Sequence, residues 1–183
     1  MSEEMVIRHC SPTLAGMKTG SLFSCSYGDG KQLTQELCRF NRMLAPKGVR
    51  MLPLRTGGGR ALIYLYRPNA LRRDFADLQA RRLLEENDYL PERVNQCVIR
   101  LIQRLKSEGT FPHEIGLFLG YPPEDVLGFI HNKGRNHKCI GCWKVYGDEA
   151  TARAVFRKYR ECTRIYCRQW RQGKSIERLT VAG

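Results

Sequence analysis

A chain of 183 residues with 42% hydrophobic residues has enough apolar material for one substantial core without disulfide help. No apolar run approaches the ~20 residues of a membrane span, and the start MSEEMVIRHC lacks the basic head and apolar centre of a secretory signal, so a cytoplasmic protein with no membrane span is expected. The eight cysteines then read as buried small hydrophobes, metal ligands or reactive thiols, and the net charge of +13 is uneven: residues 1–75 and 150–183 each carry +7, residues 76–149 carry −1.

Ser11 as N-cap, with Pro12 at the first helical position, predicts a helix over residues 11–23, and a second pattern predicts one over 31–44. The period then changes. Residues 49–55 and 60–67 are β-rich runs separated by Thr56, Gly57, Gly58 and Gly59, which predicts a hairpin. A phosphate-cradling loop is disfavoured because a strand, not a helix N-terminus, follows the glycines. Pro53 places the first strand at an edge or bulge, whereas residues 61–66, apolar on both faces, suit a central strand. Helical patterns resume over 69–86 and 92–107; the second has Val94, Cys97, Val98, Leu101, Ile102 and Leu105 on one face and Gly109 as its stop.

The segment over 114–130, EIGLFLGYPPEDVLGFI, has the spacing of two short helices joined by a tight turn: Gly116 for close approach, Gly120 to end the first helix, Tyr121 as turn anchor, Val126 and Ile130 facing inward. DNA reading is disfavoured on electrostatic grounds. The second helix would present Pro123, Glu124, Asp125, Leu127 and Gly128, of which two are carboxylates and none makes the usual bidentate base contacts. A packed corner is the better reading. Residues 142–146 predict a third strand, Gly147 and Asp148 a turn and cap, and residues 149–172 a long last helix. The whole predicts a single α+β domain over 1–183, mostly helical around a small, mainly antiparallel sheet with a helix-turn-helix-like corner.

Three constellations invite chemistry. Cys10, placed just before the helix that Ser11 starts, would face unpaired N–H groups and the positive end of the dipole, which lowers a thiol's pKa; His9 and Lys18 are near in sequence, and His113 with Glu114 would supply a base and its orienter. The competing reading is a buried structural cysteine. His131, His137, Cys139 and Cys142 put four zinc or iron ligand types in one short stretch, against the alternative of a polar loop with incidental histidines. Dithiol exchange fits less well, because this Cys-x-x-Cys runs into a strand and does not open a helix. Finally, Arg153, Arg157, Arg160, Arg164, Arg168 and Arg171 recur at helical spacing within a band of roughly 80°, a ridge roughly 27 Å long. Phe156, Tyr159, Cys162, Tyr166 and Trp170 fall on another face, and Glu161 is the only acid between Ala150 and Gln172. Such a ridge suits nucleic acid or an acidic protein, or else serves only solubility.

The words at residues 9–18 (HCSPTLAGMK), 65–68 (LYRP), 111–130 (FPHEIG onward) and 143–147 (WKVYG) together resemble a bacterial family known as domain of unknown function 3793, over nearly the whole chain. The resemblance supplies no activity. Encoding of family members near flavodoxins and ferrous-iron transport proteins implies redox or iron-linked physiology. Two functions are therefore expected in competition: cysteine chemistry, thiol or metal, in redox or iron physiology with Cys10 as the key thiol, or non-enzymatic binding in which the arginine ridge with Lys18, together with the helix-turn-helix-like corner, holds nucleic acid or an acidic, flavodoxin-like partner.

Overall fold

Ser2, not Ser11, starts the first helix. In the computed structural model, which describes residues 1–107 and 111–183, helix α1 spans Glu3–Leu14, with the Ser2 hydroxyl accepting from Met5 N and Glu3 and Glu4 in the favoured acidic first turn. Ser11 and Pro12 lie in its last turn, where the Ser11 hydroxyl donates to the Ile7 carbonyl. The helix closes at Gly16, at φ +73°, with Gly16 N donating to Thr13 O and Met17 N to Pro12 O, so these two last-turn carbonyls are satisfied. The expected helix over 11–23 is thereby overturned. Residues beyond Gly16 instead form strand β1 (Gly20–Ser26).

The chain divides into two compact units, Met1–Ala70 with Glu161–Gly183, and Leu71–Arg160. In the first, β1, β2 (Arg50–Gly57) and β3 (Arg60–Tyr66) form an antiparallel sheet in the order β1-β3-β2. The apolar β3 is central, as its sequence predicts. Gly58 and Gly59 turn the hairpin with φ of +55° and +70°, the left-handed pair that suits a two-residue connection. Pro53 lies on an edge strand, and the register shifts between Pro53 and Arg55, an edge and bulge position of the kind that tolerates proline. Helix α2 (Gly30–Leu44), capped by Asp29, contributes Leu33, Leu37, Phe40 and Leu44 to a core that also holds Val6, Ile7, Cys10 and Leu14 of α1. Arg67 is buried at 6% exposure, and its guanidinium donates to Thr13 O, Leu14 O and Val181 O, each at 2.7 Å, tying the carboxyl end of α1 to the tail.

The single helix expected over 69–86 is two, α3 (Pro68–Asp74) and α4 (Leu78–Glu85), because the Asp77 carboxylate takes the N–H groups of Gln79 and Ala80 and starts a new helix. Helix α5 (Val94–Lys106) follows; Gly109, its expected stop, lies outside the described residues. Phe118 packs against Phe75 and Tyr89 with ring centroids 5.0 and 5.5 Å apart. The long helix α8 (Glu149–Arg171) begins at Asp148, which accepts from Ala150 N, Thr151 N and the Thr151 hydroxyl, and α9 (Ile176–Leu179) follows it. Helices with small antiparallel sheets make the fold α+β, and among the described residues no helix is long and apolar enough to cross a membrane.

Candidate functional site

The corner over 114–130 is built as its glycines require. Helix α6 (Ile115–Phe118) stops at Gly120, at φ +72°, with Tyr121 N donating back to Gly116 O. A Cβ on Gly116 would lie 2.7 Å from Val126 Cγ2 and 3.2 Å from the Tyr121 ring, so only glycine allows α6 to meet α7 (Pro123–His131) at this distance. Glu124 and Asp125 occupy the first turn of α7 as predicted, yet Asp125 does more than favour the dipole. It is 3% exposed, and its carboxylate accepts from Tyr146 N and Trp143 Nε1 at 2.6 Å and Gly147 N at 2.7 Å. One buried charge thus pins the following hairpin to α7.

That hairpin is shorter than the strand expected over 142–146. Only β4 (Cys139–Ile140) and β5 (Lys144–Val145) pair, leaving Gly141, Cys142 and Trp143 in the connection. Val145 and Cys139 face a small cluster with Ala152 and Phe156, and the exposed Ile140 alternates outward.

Corner and hairpin line a cavity of about 320 Å³ that is open to solvent, near the lower end of the size range of small-molecule sites. Two rows of rings line it. His113 stands 5.0 Å from Phe129 and 6.0 Å from Phe111 in one row; in the other, Tyr121 stands 4.9 Å from Trp143, which is backed by Phe156 at 4.6 Å. The Tyr121 hydroxyl donates to Cys142 O, and burial pushes its phenol up to about 12, so it stays a neutral donor. Phe111 and Ile140, 49% and 67% exposed, are at the cavity's lining, with Lys144 and Cys142 beside them.

The residues singled out from sequence fare unevenly. Cys10 is inside α1, wholly buried, and burial pushes its thiol up to about 12, outweighing the charge of Lys18 and a hydrogen bond from Ser21. The helix N-terminus that was to activate it is not there. His113 is exposed and lines the cavity, whereas Glu114 is buried, accepting from the Tyr89 hydroxyl at 2.8 Å and pairing with Arg104 Nε at 3.1 Å. Glu114 therefore anchors α6 and does not orient His113. Cys10 belongs to the first unit and His113 to the second. Of the four expected metal ligands, His131 and His137 are exposed, Cys139 is buried, and Cys142 is exposed in the hairpin connection. Among the described residues no three His, Cys, Asp or Glu side chains are grouped as a metal site. All six ridge arginines are exposed, with Arg153 bound to Glu149 and Arg164 to Glu161 on the same helix.

Fold and site define a small α+β protein with a ring-walled cavity beside a helix-turn-helix-like corner. The family described as Protein of unknown function (DUF3793) matches residues 6–180, and the chain belongs to that family. Neither a curated protein nor a solved structure matches it.

Proposed function

We propose that this protein binds a small planar molecule between the two rows of rings. The observation that carries this reading is the cavity itself, lined by the rings of Phe111, His113 and Phe129 and by those of Tyr121 and Trp143. Exposed Phe111 and Ile140 are costly in water, and a ligand stacked against them covers both. Thiol chemistry, expected of Cys10, passes in this reading to Cys142, whose exposed side chain lines the same cavity.

The neutral dye N-phenyl-1-naphthylamine tests the reading. It should bind at one saturable site, and Phe111→Ala or Ile140→Ser should each weaken it roughly tenfold through lost apolar contact. Both positions are exposed, so neither substitution threatens the core. Absence of saturable binding, or variants that bind as the wild type does, would overturn it.

The solvent side of α8 favours a second reading, electrostatic binding of a nucleic acid or acidic protein such as a flavodoxin. Six exposed arginines against two acids on that helix support it. Reversing Arg157, Arg160 and Arg168 to Glu should abolish binding to generic RNA or an acidic protein and lower the slope of log affinity against log salt by roughly 2–3. Negligible wild-type affinity for both in low-salt anisotropy titrations makes the ridge a solvated face.

A further inference from the structure

We infer that the cavity selects an anionic ligand, a planar ring system bearing a carboxylate, sulfonate or phosphate group, with Lys144 as its counter-charge; the inference rests on the ring-walled cavity being a ligand site. Lys144 stands on β5 with its side chain along the cavity wall. Its ammonium donates to Gly134 O at 2.7 Å and lies 5.6 Å from the centroid of Phe129, a ring of the slot. The turn after α7 sets this geometry: Lys133, left-handed at φ +50°, and Gly134 close the helix through Lys133 N to Ile130 O and Gly134 N to Phe129 O. A Cβ at Gly134 would lie 3.1 Å from the Phe129 ring and 3.3 Å from Lys144 Nζ, so the glycine leaves room for ring and ammonium together.

Lys144 and Asp125 both line the cavity, and the two are not paired with each other. Among the described residues Lys144 forms no ion pair. Asp125, the carboxylate at the cavity, has its oxygens engaged by three N–H donors from the hairpin. From His131 to Gly147 the sequence carries Lys133, Arg135, Lys138 and Lys144 and no acid. An ammonium has three N–H groups, and the Gly134 carbonyl takes one. A ligand anion takes a second as a charge-assisted hydrogen bond beside the Phe129 ring. A ligand cation meets repulsion at the same point, and a neutral ring gains stacking alone.

The test compares two dyes with the same rings, 1-anilinonaphthalene-8-sulfonate and the neutral N-phenyl-1-naphthylamine, in direct and competitive titrations. The wild type should bind the sulfonate roughly 10–100-fold more tightly than the amine, and the sulfonate should displace the amine. Lys144→Met keeps the apolar stem and should lose the preference while retaining the amine; Lys144→Arg should keep it. Equal affinity for the two dyes in the wild type, a preference that survives in Lys144→Met, or a sulfonate that fails to displace bound amine overturns the anion inference and leaves the cavity reading standing. If neither dye binds, the cavity reading falls and takes the inference with it.

Discussion

Cys10 is expected to react with iodoacetamide at pH 7 roughly a thousandfold more slowly than an ordinary exposed thiol, because only the thiolate attacks. A thiol pushed by burial from 9.0 to about 12 is ionised at pH 7 in only about one molecule in 10⁵, against about one in a hundred for the unshifted group. Cys38, which is exposed, is the internal reference. Mass-resolved labelling of the folded protein measures both together, and a Cys10 rate within tenfold of Cys38 would sink the buried assignment. The same shift has a consequence for stability. Native Cys10 favours its neutral form, so its contribution is complete below pH 9 and is lost as pH rises towards 12, by up to about 1.4 kcal/mol per pH unit. Cys10→Val keeps an apolar side chain and removes that dependence, which urea midpoints at pH 8 and 10.5 would show as a flatter alkaline limb.

Ser11 and Pro12 point to a helix start beside Cys10 for a physical reason. Ser followed by Pro is a strong helix-start signal, but the same pair fits the last turn of a helix already under way, and two other signals decide between them. Ser2 followed by Glu3 and Glu4 is a cap with an acidic first turn, and Gly16 is a left-handed stop two residues beyond the helix's end. Weighing those would have put Cys10 in the third turn, on the same face as Val6 and Ile7. The hairpin and the corner were legible because glycine chemistry fixes them locally: Gly58 and Gly59 for the turn, Gly116 and Gly120 for the close approach and the stop. The cavity was not. Its rings come from Phe111, His113, Tyr121, Phe129 and Trp143, on three different connections and one short helix, with no common period to betray that they meet. In the sequence Asp125 is only a dipole-compatible acid, since nothing there shows that three donors some twenty residues later turn back to it.

Asp125→Asn should destabilise the protein by roughly 1–3 kcal/mol and Asp125→Ala by roughly 3–5 kcal/mol, although neither changes the apolar core. The carboxylate is an acceptor at both oxygens, matched to two backbone donors on Oδ1 and the indole N–H on Oδ2. Asparagine keeps the shape and, with its carbonyl towards Tyr146 N and Gly147 N, retains those two bonds. Its amide nitrogen then meets Trp143 Nε1, donor against donor, and the opposite flip only moves the conflict to the backbone. Alanine leaves all three N–H groups without their acceptor. Because Trp143 is one wall of the slot and is held by this bond, the asparagine variant should also lose affinity for the naphthylamine while its far-ultraviolet circular dichroism stays that of the wild type. Urea unfolding of the three proteins measures the stability order directly. An Asp125→Asn variant as stable as the wild type would mean that the carboxylate is not the clamp on the hairpin, and that the cavity's walls are set by ring packing alone.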